Sequence, residues 1–198
     1  KEVFRVRTRE GYFVRATADH RIMTSRGWVE VQDLTPGDSV HILNRRGGFG
    51  TEGSLERGRT LGWLVGDGTM SNDKAVLSFF GDEQDLAPMF AQYVDDLVAP
   101  LTVGSRGRYP VGVHAVAGRQ ESRVGSMRLH TIASEAGLGR GLEKLRVPAA
   151  VLRGSEQMQR GFLQALFSAD GTVHVDSLKG SSVRLTSVSD SLLESVQQ

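Results

Sequence analysis

Cysteine is absent from the 198-residue chain, so neither a disulfide framework nor a thiolate metal site can form. That absence fits a reducing compartment, and the expected location is cytoplasmic. Long apolar runs are missing too: no stretch approaches the ~20 apolar residues that a spanning helix needs, and no membrane role is expected. The N-terminal KEVFRVRTRE is charged and alternating, which is not the pattern of a signal peptide. Charge of one sign is also lacking. With a net charge of +1, bulk electrostatics gives only a weak argument for nucleic acid.

What is present suffices for a packed protein. Hydrophobic residues make up 39% and charged residues 24%, an ordinary globular balance, and the length suits one large domain or two modest ones. The distribution of charge says more than its sum. Five arginines but a single acid, Glu121, lie between Arg106 and Arg128, whereas Asp82 to Asp96 is acidic. A nearly neutral chain can therefore still present one basic face.

Apolar and polar residues alternate on both sides of Glu10-Gly11, which predicts a hairpin with that pair as its turn. Short strands are predicted at Arg21 to Met23, Trp28 to Val31 and Ser39 to Leu43, separated by turns at Arg26-Gly27 and Pro36-Gly37-Asp38. This part is all-β. The Gly-rich, charged stretch 44–59 reads as a linker or boundary. The periodicity then changes. Thr60 to Gly68 and Glu83 to Val98 predict helices, with a strand at Ala75 to Phe80 between them. Leu101 to Val116 and Ser122 to Leu129 predict strands rich in Arg and Gly, and His130 to Gly137 a short helix.

The later segment repeats the earlier one. LVGDGTM at 64–70 matches FSADGTV at 167–173, with Asp67 and Asp170 separated by 103 positions. Downstream, Leu77-Ser78 and Asp82 match Leu185-Thr186 and Asp190 at an offset of 108. Two copies of an α/β unit, related by a pseudo-twofold, are implied. The second copy stops inside its second helix, and the chain is expected to be incomplete at its C-terminus.

Gly62 and Gly66 lie four apart and share one helix face, as do Gly161, Ala165 and Ala169 in the second copy. Small residues on one face let two helix backbones approach closely. Gly68 and Gly171 are then expected to supply left-handed caps. The acid ahead of each cap is unusual. It faces the negative end of the helix dipole, which costs roughly 0.3–1 kcal/mol, and the two acids repel each other. A compensating cation is needed. Mg²⁺, held by carboxylates and water, meets that need and suits hydrolysis of two opposed phosphodiesters.

These paired segments resemble the LAGLIDADG homing endonucleases. The resemblance implies that Asp67 and Asp170 bind the catalytic metal and activate water, and that β-sheets of a pseudo-symmetric saddle lie in the DNA major groove. The family also carries a basic residue three positions before a proline. In Glu143-Lys144-Leu145-Arg146-Val147-Pro148 that position is Leu145; Lys144 stands one step earlier, and Arg146 could substitute. Lys144 is the candidate for polarising the scissile phosphate. Arg106, Arg108, Arg119, Arg123 and Arg128 fall on predicted strands, where the resemblance implies base and phosphate contacts. Arginine can pair bidentately with guanine, and phosphate contacts make binding salt-dependent.

The first 43 residues carry a second resemblance. GYFVRATADHRIMT followed by GWVEVQDLTPGDSV is similar to the Hint splicing domain of inteins, with Thr17-Ala18-Asp19-His20 matching its Thr-x-x-His motif. The resemblance implies that His20 hydrogen-bonds the scissile peptide at the N-terminal splice junction and that Thr17 assists. A β-rich segment, TADH, a PGD turn and an inserted nuclease, in that order, are typical of large inteins. Hosts of such inteins include ribonucleotide reductases, helicases and polymerases. Residue 1 is Lys, not a nucleophilic Cys or Ser, and no His-Asn pair ends the chain, so self-splicing is not expected of it as given. His41, His114, His130 and His174 match no splicing role.

The expected architecture is α+β. It comprises a partial all-β Hint segment over 1–50, a linker over 51–59, and a pseudo-twofold αββαββ saddle over 60–198. The expected protein is a monomer that binds double-stranded DNA, uses Mg²⁺ and sits within a host extein. Two alternatives stand beside it. A non-catalytic DNA-binding module on the same fold would lack TADH and usually one of the acids. A splicing-only element would not explain the repeat.

Overall fold

The computed structural model describes residues 1–42, 48–101, 110–176 and 180–197. The chain divides into two compact units, one made mainly of Lys1–Gly48 and the other of Phe49–Val196.

The smaller unit is built from hairpins. Strands β1 (Val3–Arg7) and β2 (Phe13–Thr17) pair antiparallel with Val6 opposite Val14. Their turn is closed by Thr8 N–H donating to the Tyr12 carbonyl at 2.8 Å, with Gly11 at φ 98°, a conformation that favours glycine. Strands β3 (Arg21–Thr24) and β4 (Gly27–Glu30) form a second hairpin, and a 3₁₀ turn over Val31–Asp33 follows. The third strand expected at Ser39 to Leu43 is not formed in its described part. Val40 makes a single bridge to Thr24, flanked by Ser25 N–H donating to the Ser39 carbonyl at 2.9 Å and His41 N–H donating to the Met23 carbonyl at 2.8 Å; Leu43 lies outside the described residues. The expected Pro36-Gly37-Asp38 turn is present. The Asp38 carboxylate accepts from the Thr35 backbone N–H at 2.8 Å and from Arg26 at 2.7 Å.

The larger unit opens with α1 (Leu55–Val65). The helix starts five residues before the expected Thr60 and so takes up part of the stretch expected to be a linker. Ser54 explains the early start: its side chain accepts from Arg57 N–H at 3.2 Å and caps the first turn. Strands β5 (Gly68–Met70) and β6 (Ala75–Phe80) follow, then α2 (Ala87–Val98). The helix expected from Glu83 is a 3₁₀ segment until Leu86. Pro88 has no N–H to continue an i→i−4 ladder backwards, so the α-helix proper begins beside it.

Next come β7 (Val113–Ala115) and β8 (Glu121–Ser126), then α3 (Met127–Glu135). The strand expected to run to Leu129 ends at Ser126, whose hydroxyl accepts from the N–H groups of Arg128 and Leu129 and starts α3 three residues early. The chain continues through α4 (Ala149–Leu152), α5 (Glu156–Asp170), β9 (Gly171–Asp176), β10 (Gly180–Leu185) and α6 (Asp190–Gln197). The expected order of helix, two strands and helix is thus present twice. The first copy builds an antiparallel sheet in the order β5-β6-β8-β7; the second contributes the hairpin β9-β10.

Two features hold this unit together. Trp63 of α1 stacks on Phe79 of β6 at 4.8 Å between ring centroids, and Phe90 of α2 closes the cluster at 5.0 and 5.3 Å. The Trp63 indole N–H donates to the Ser78 carbonyl at 2.8 Å, so its polar edge is satisfied in the core. The second feature is the packing of α1 on α5, the most extensive contact between elements of the unit. A Cβ on Gly58 would stand 2.0 Å from the Met158 carbonyl oxygen, one on Gly62 2.2 Å from that of Phe162, and one on Gly161 2.2 Å from that of Leu55. The expected small-residue face is therefore the contact itself.

The caps correct an expectation. Neither Gly68 nor Gly171 has a positive φ; Gly171 is extended at φ −85°, ψ 156°. α5 passes straight into β9, and α1 reaches β5 through Gly66 and Asp67, neither exit using a left-handed glycine. Glycine is required there by space, because a Cβ on Gly68 would meet the Leu64 backbone at 2.5 Å and one on Gly171 the Phe167 carbonyl at 2.2 Å.

Candidate nuclease site

The ends of α1 and α5 emerge side by side, and each delivers an acid. Asp170 is the last residue of α5. Asp67 follows the C-cap of α1, Gly66, whose N–H returns to the Gly62 carbonyl at 3.1 Å. A Cβ on Gly66 would lie 2.6 Å from Ala169 Cβ and 3.5 Å from Asp170 Oδ2. Glycine at 66 is thus what lets the second carboxylate come up against the first helix's exit.

Both carboxylates resist ionisation. Burial, then the neighbouring Glu83 and Asp170 charges, push the Asp67 carboxyl up to about 6, against the opposing pull of Lys144. Burial also raises Asp170, again opposed by Lys144. A protonation range shifted toward neutral in two adjacent acids is a signature of functional sites. Glu83, which also accepts from Phe80 N–H at 3.1 Å, was not singled out in the sequence. Its position past the end of β6 becomes relevant only once that strand pairs beside β5.

Lys144 lies at the same place. Its ammonium donates to the carbonyls of Leu64 at 3.2 Å, Gly66 at 3.0 Å and Gly68 at 2.5 Å. An ammonium has three N–H donors, and all three are used. Burial lowers the Lys144 pKa, while Asp170 and Asp67 act to raise it. The cation that the sequence argument required is therefore met in part by the chain's own lysine. In this structure the ammonium is thus bonded to the backbone on both sides of Asp67. The Asp67 carbonyl in turn accepts from Ser78 N–H at 2.9 Å.

The donor set fits Mg²⁺ in kind, being hard oxygen. Among the described residues no group of three or more His, Cys, Asp or Glu could hold a metal ion. Two carboxylates alone would leave most octahedral positions to water or phosphate oxygens, the usual pattern for this ion.

The arginines divide. Arg123 lies on β8, opposite His114 of β7. Arg119 lies in the turn before β8 and Arg128 in the first turn of α3, so neither is on a strand as expected. Arg106 and Arg108 lie outside the described residues. Glu121 is 2% exposed and pairs with Arg123 at 2.6 Å and Arg119 at 3.6 Å. The Arg123 guanidinium holds the Glu121 carboxyl below its ordinary value. The lone acid of the basic stretch thus partly offsets two of its arginines.

In the smaller unit, Thr17 ends β2, and His20 is exposed in the connection to β3. His20 N–H donates to the Thr17 carbonyl at 3.0 Å, and its own carbonyl accepts from Val31 N–H at 2.9 Å, which fixes the backbone of TADH. The Asp19 carboxyl is held down to about 2 by the Thr17 hydroxyl and by Lys1, whose ammonium lies 3.0 Å away.

Comparisons with known proteins reach different parts of the chain. Residues 157–198 match the model of the LAGLIDADG-like domain, a segment that contains all of α5 but its first residue, and Asp170. The whole chain is 24% identical over 208 residues to the ribonucleoside-diphosphate reductase NrdEB subunit alpha of Bacillus subtilis, of which it covers 19%. It is 38% identical over 93 residues to the replicative DNA helicase DnaB of Rhodothermus marinus, matching 46% of this chain and 10% of the helicase. Over 70 residues it is 37% identical to protein RecA of Mycobacterium tuberculosis, matching 34% of this chain and 9% of RecA. The chain spans no more than about a fifth of the length of these relatives. Among solved structures it is similar to the homing endonuclease I-DmoI in complex with its target DNA in the presence of manganese. That match has 21% identity, covers 72% of this chain and 71% of the other, and has a TM-score of 0.44.

Proposed function

We propose that this chain is the nuclease-bearing part of an intein: a Mg²⁺-dependent, site-specific double-strand DNA endonuclease set into a protein-splicing element. The observation that carries the reading is the convergence of Asp67 and Asp170 at the ends of two helices in backbone contact. Ordinary folding does not favour two adjacent carboxylates at helix C-termini. Their retention is explained by a task that needs them.

Asp67 and Asp170 would hold the ion, and the ion would supply Lewis acidity at the phosphate and a more acidic water. The chain's own contribution is orientation. Gly62 and Gly161 set the helix spacing, Lys144 and Ser78 fix the backbone around Asp67, and Arg123 and His114 present cationic or polar edges from the sheet. Thr17 and His20 take the splicing role, with His20 donating to the scissile amide and weakening its resonance.

The relatives support an inserted element. A reductase, a helicase and RecA share no activity in their names, yet each contains a segment similar to this chain. A mobile insertion in host proteins accounts for that distribution; a domain serving any one of those activities does not. A monomer acting in the cytoplasm is the expected state.

The test is incubation of the gene product with Mg²⁺ and DNA carrying the uninterrupted version of its own coding sequence. Double-strand cleavage by the unaltered protein and its loss in both Asp67→Ala and Asp170→Ala are expected. Cleavage retained by either variant would remove the metal-site assignment.

A further inference from the structure

We infer that Glu121 is a positioning residue for DNA recognition: it holds the Arg123 guanidinium at Nε so that the two outer amino groups meet a guanine base. The inference rests on the reading that this chain binds a specific duplex. It goes beyond that reading by assigning a base contact and the acid that aims it.

The four-stranded sheet has one face to offer. Alternate residues of a strand point to opposite sides. On β8, Val124 points into the core and is fully buried, as is Leu77 opposite it on β6. Glu121, Arg123 and Gly125 point the other way. That face is basic and partly open. The Arg123 side chain is 45% exposed, and His114 stands opposite it on β7. Lys74 lies across Gly125, where a Cβ would come 2.7 Å from the Lys74 Cε. A β-ribbon fits the major groove of B-DNA.

Glu121 is the lone acid of this stretch, and its side chain is only 2% exposed. Its backbone is pinned from both neighbouring strands. The Gln120 carbonyl accepts from Gly81 N–H at 3.1 Å, and the Glu121 carbonyl accepts from Val116 N–H at 2.9 Å. Glu121 Oε1 accepts from Arg123 Nε at 2.6 Å. Among the described residues Oε2 accepts no hydrogen bond; it faces Arg119 Nη1 at 3.6 Å, an ion pair too long for one. A covered carboxylate left half unbonded is uncommon in a folded protein and calls for a reason.

The bond at Nε supplies that reason. An arginine carries five N–H donors. This bond uses one and fixes the plane of the group; the four on Nη1 and Nη2 take no part in it. Guanine O6 and N7 accept two such donors side by side. A guanidinium already held in place loses less freedom on binding. The carboxylate also sorts ligands. Its charge partly cancels that of Arg123 and repels a phosphate placed beside it, whereas a base edge carries no net charge. Glu121 therefore directs Arg123 toward a base and away from the backbone.

The test is fluorescence anisotropy on the full chain in EDTA. One labelled duplex carries the uninterrupted coding sequence, and a scrambled duplex of equal length is the reference. The readout is the ratio of the two affinities. Glu121→Ala should lower that ratio roughly tenfold, the scale of one bidentate base contact, with affinity for the scrambled duplex unchanged or higher. Glu121→Gln keeps an acceptor for Nε at nearly the same shape, so its ratio should fall less. The double variant Glu121→Ala/Arg123→Ala should be no worse than Arg123→Ala alone, because the acid acts through the arginine. Equal losses on both duplexes in the two Glu121 variants would mean a phosphate contact or a damaged sheet, and would overturn the assignment. So would an unchanged ratio in both, or losses that add in the double variant. If Glu121→Ala does not fold, Glu121→Gln carries the test: its loss must vanish when Arg123 is already alanine. An unaltered protein with no preference for its target would instead remove the DNA reading itself, and the inference with it.

Discussion

The two copies of the repeat share a helix exit but differ in nearly everything around it. In the first, α1 lies under a four-stranded sheet, and Trp63, Phe79 and Phe90 fill the space between. In the second, α5 leads into the two-stranded β9-β10 hairpin. Val173 pairs with Val183 two positions from the Gly171–Leu185 pair, and so faces the same side as the partly buried Leu185. Yet Val173 is 67% exposed and Val183 61%. The acids nevertheless come together. What places them is the glycine-lined contact of α1 with α5, not the completeness of either sheet. The placement of the two acids and the packing of the sheets are separable in this unit.

The strongest way to break that separation is to spoil the helix contact. Gly62→Val would drive a side chain into the Phe162 carbonyl, 2.2 Å from the first added carbon. A loss of about 3 kcal/mol or more is expected, together with loss of Mg²⁺ binding, measured by denaturant unfolding and calorimetry. Phe79→Ala attacks the other half of the comparison. It removes a fully buried ring and should cost about 3–5 kcal/mol. If the two features are separable, Phe79→Ala at a temperature where it remains folded keeps the Mg²⁺ affinity, whereas Gly62→Val does not.

The asymmetry around the acids gives a smaller effect. Asp67 is crowded by burial, Glu83 and Asp170, so its charge opposes folding in the absence of metal. Asp67→Asn removes that charge. The metal-free melting temperature should rise by roughly 2–4 °C, the shift that ~1 kcal/mol produces in a domain of this size; half-exposed charges are screened, so more is not expected. A fall instead would mean that the carboxylate is needed as a hydrogen-bond acceptor. The same charge sets a pH dependence. An acid raised to about 6 in the folded protein binds its proton more tightly there than unfolded. Its contribution therefore favours folding at low pH, is lost as pH rises from about 4 to about 6, and stays unfavourable above. Mg²⁺ must displace that proton, so its affinity should weaken below about pH 6. Affinity that is flat from pH 7 down to 5 would contradict the crowding of Asp67.

How much of this was legible in the sequence follows the same division. The hairpin at Glu10-Gly11, the small faces of α1 and α5 and the paired acids were all readable, because each depends on residues close together in the chain. The expected caps at Gly68 and Gly171 were misread: glycine can be demanded by φ or by space, and composition does not say which. The start of α1 was misread because a glycine-rich stretch hid the Ser54 cap. Arg128 was placed on a strand because Ser126 was not recognised as a helix start. Glu83 and the backbone bonds of Lys144 join positions far apart in the chain, and no local pattern carries them.

The smallest effect is the most direct test of the contrast between the copies. Val124 of β8 and Val183 of β10 both face the core side of their sheets, yet Val124 is fully buried and Val183 mostly exposed. Valine to threonine is nearly isosteric but adds a hydroxyl, which is penalised only where water is excluded. Val124→Thr should therefore cost ~1–3 kcal/mol, and Val183→Thr should stay within ~0.5 kcal/mol, both read from urea midpoints at constant slope. If Val183→Thr cost as much as Val124→Thr, the second hairpin would have to bury its valines against something in solution. The two copies would then be alike in packing as well as in the helix exits they share.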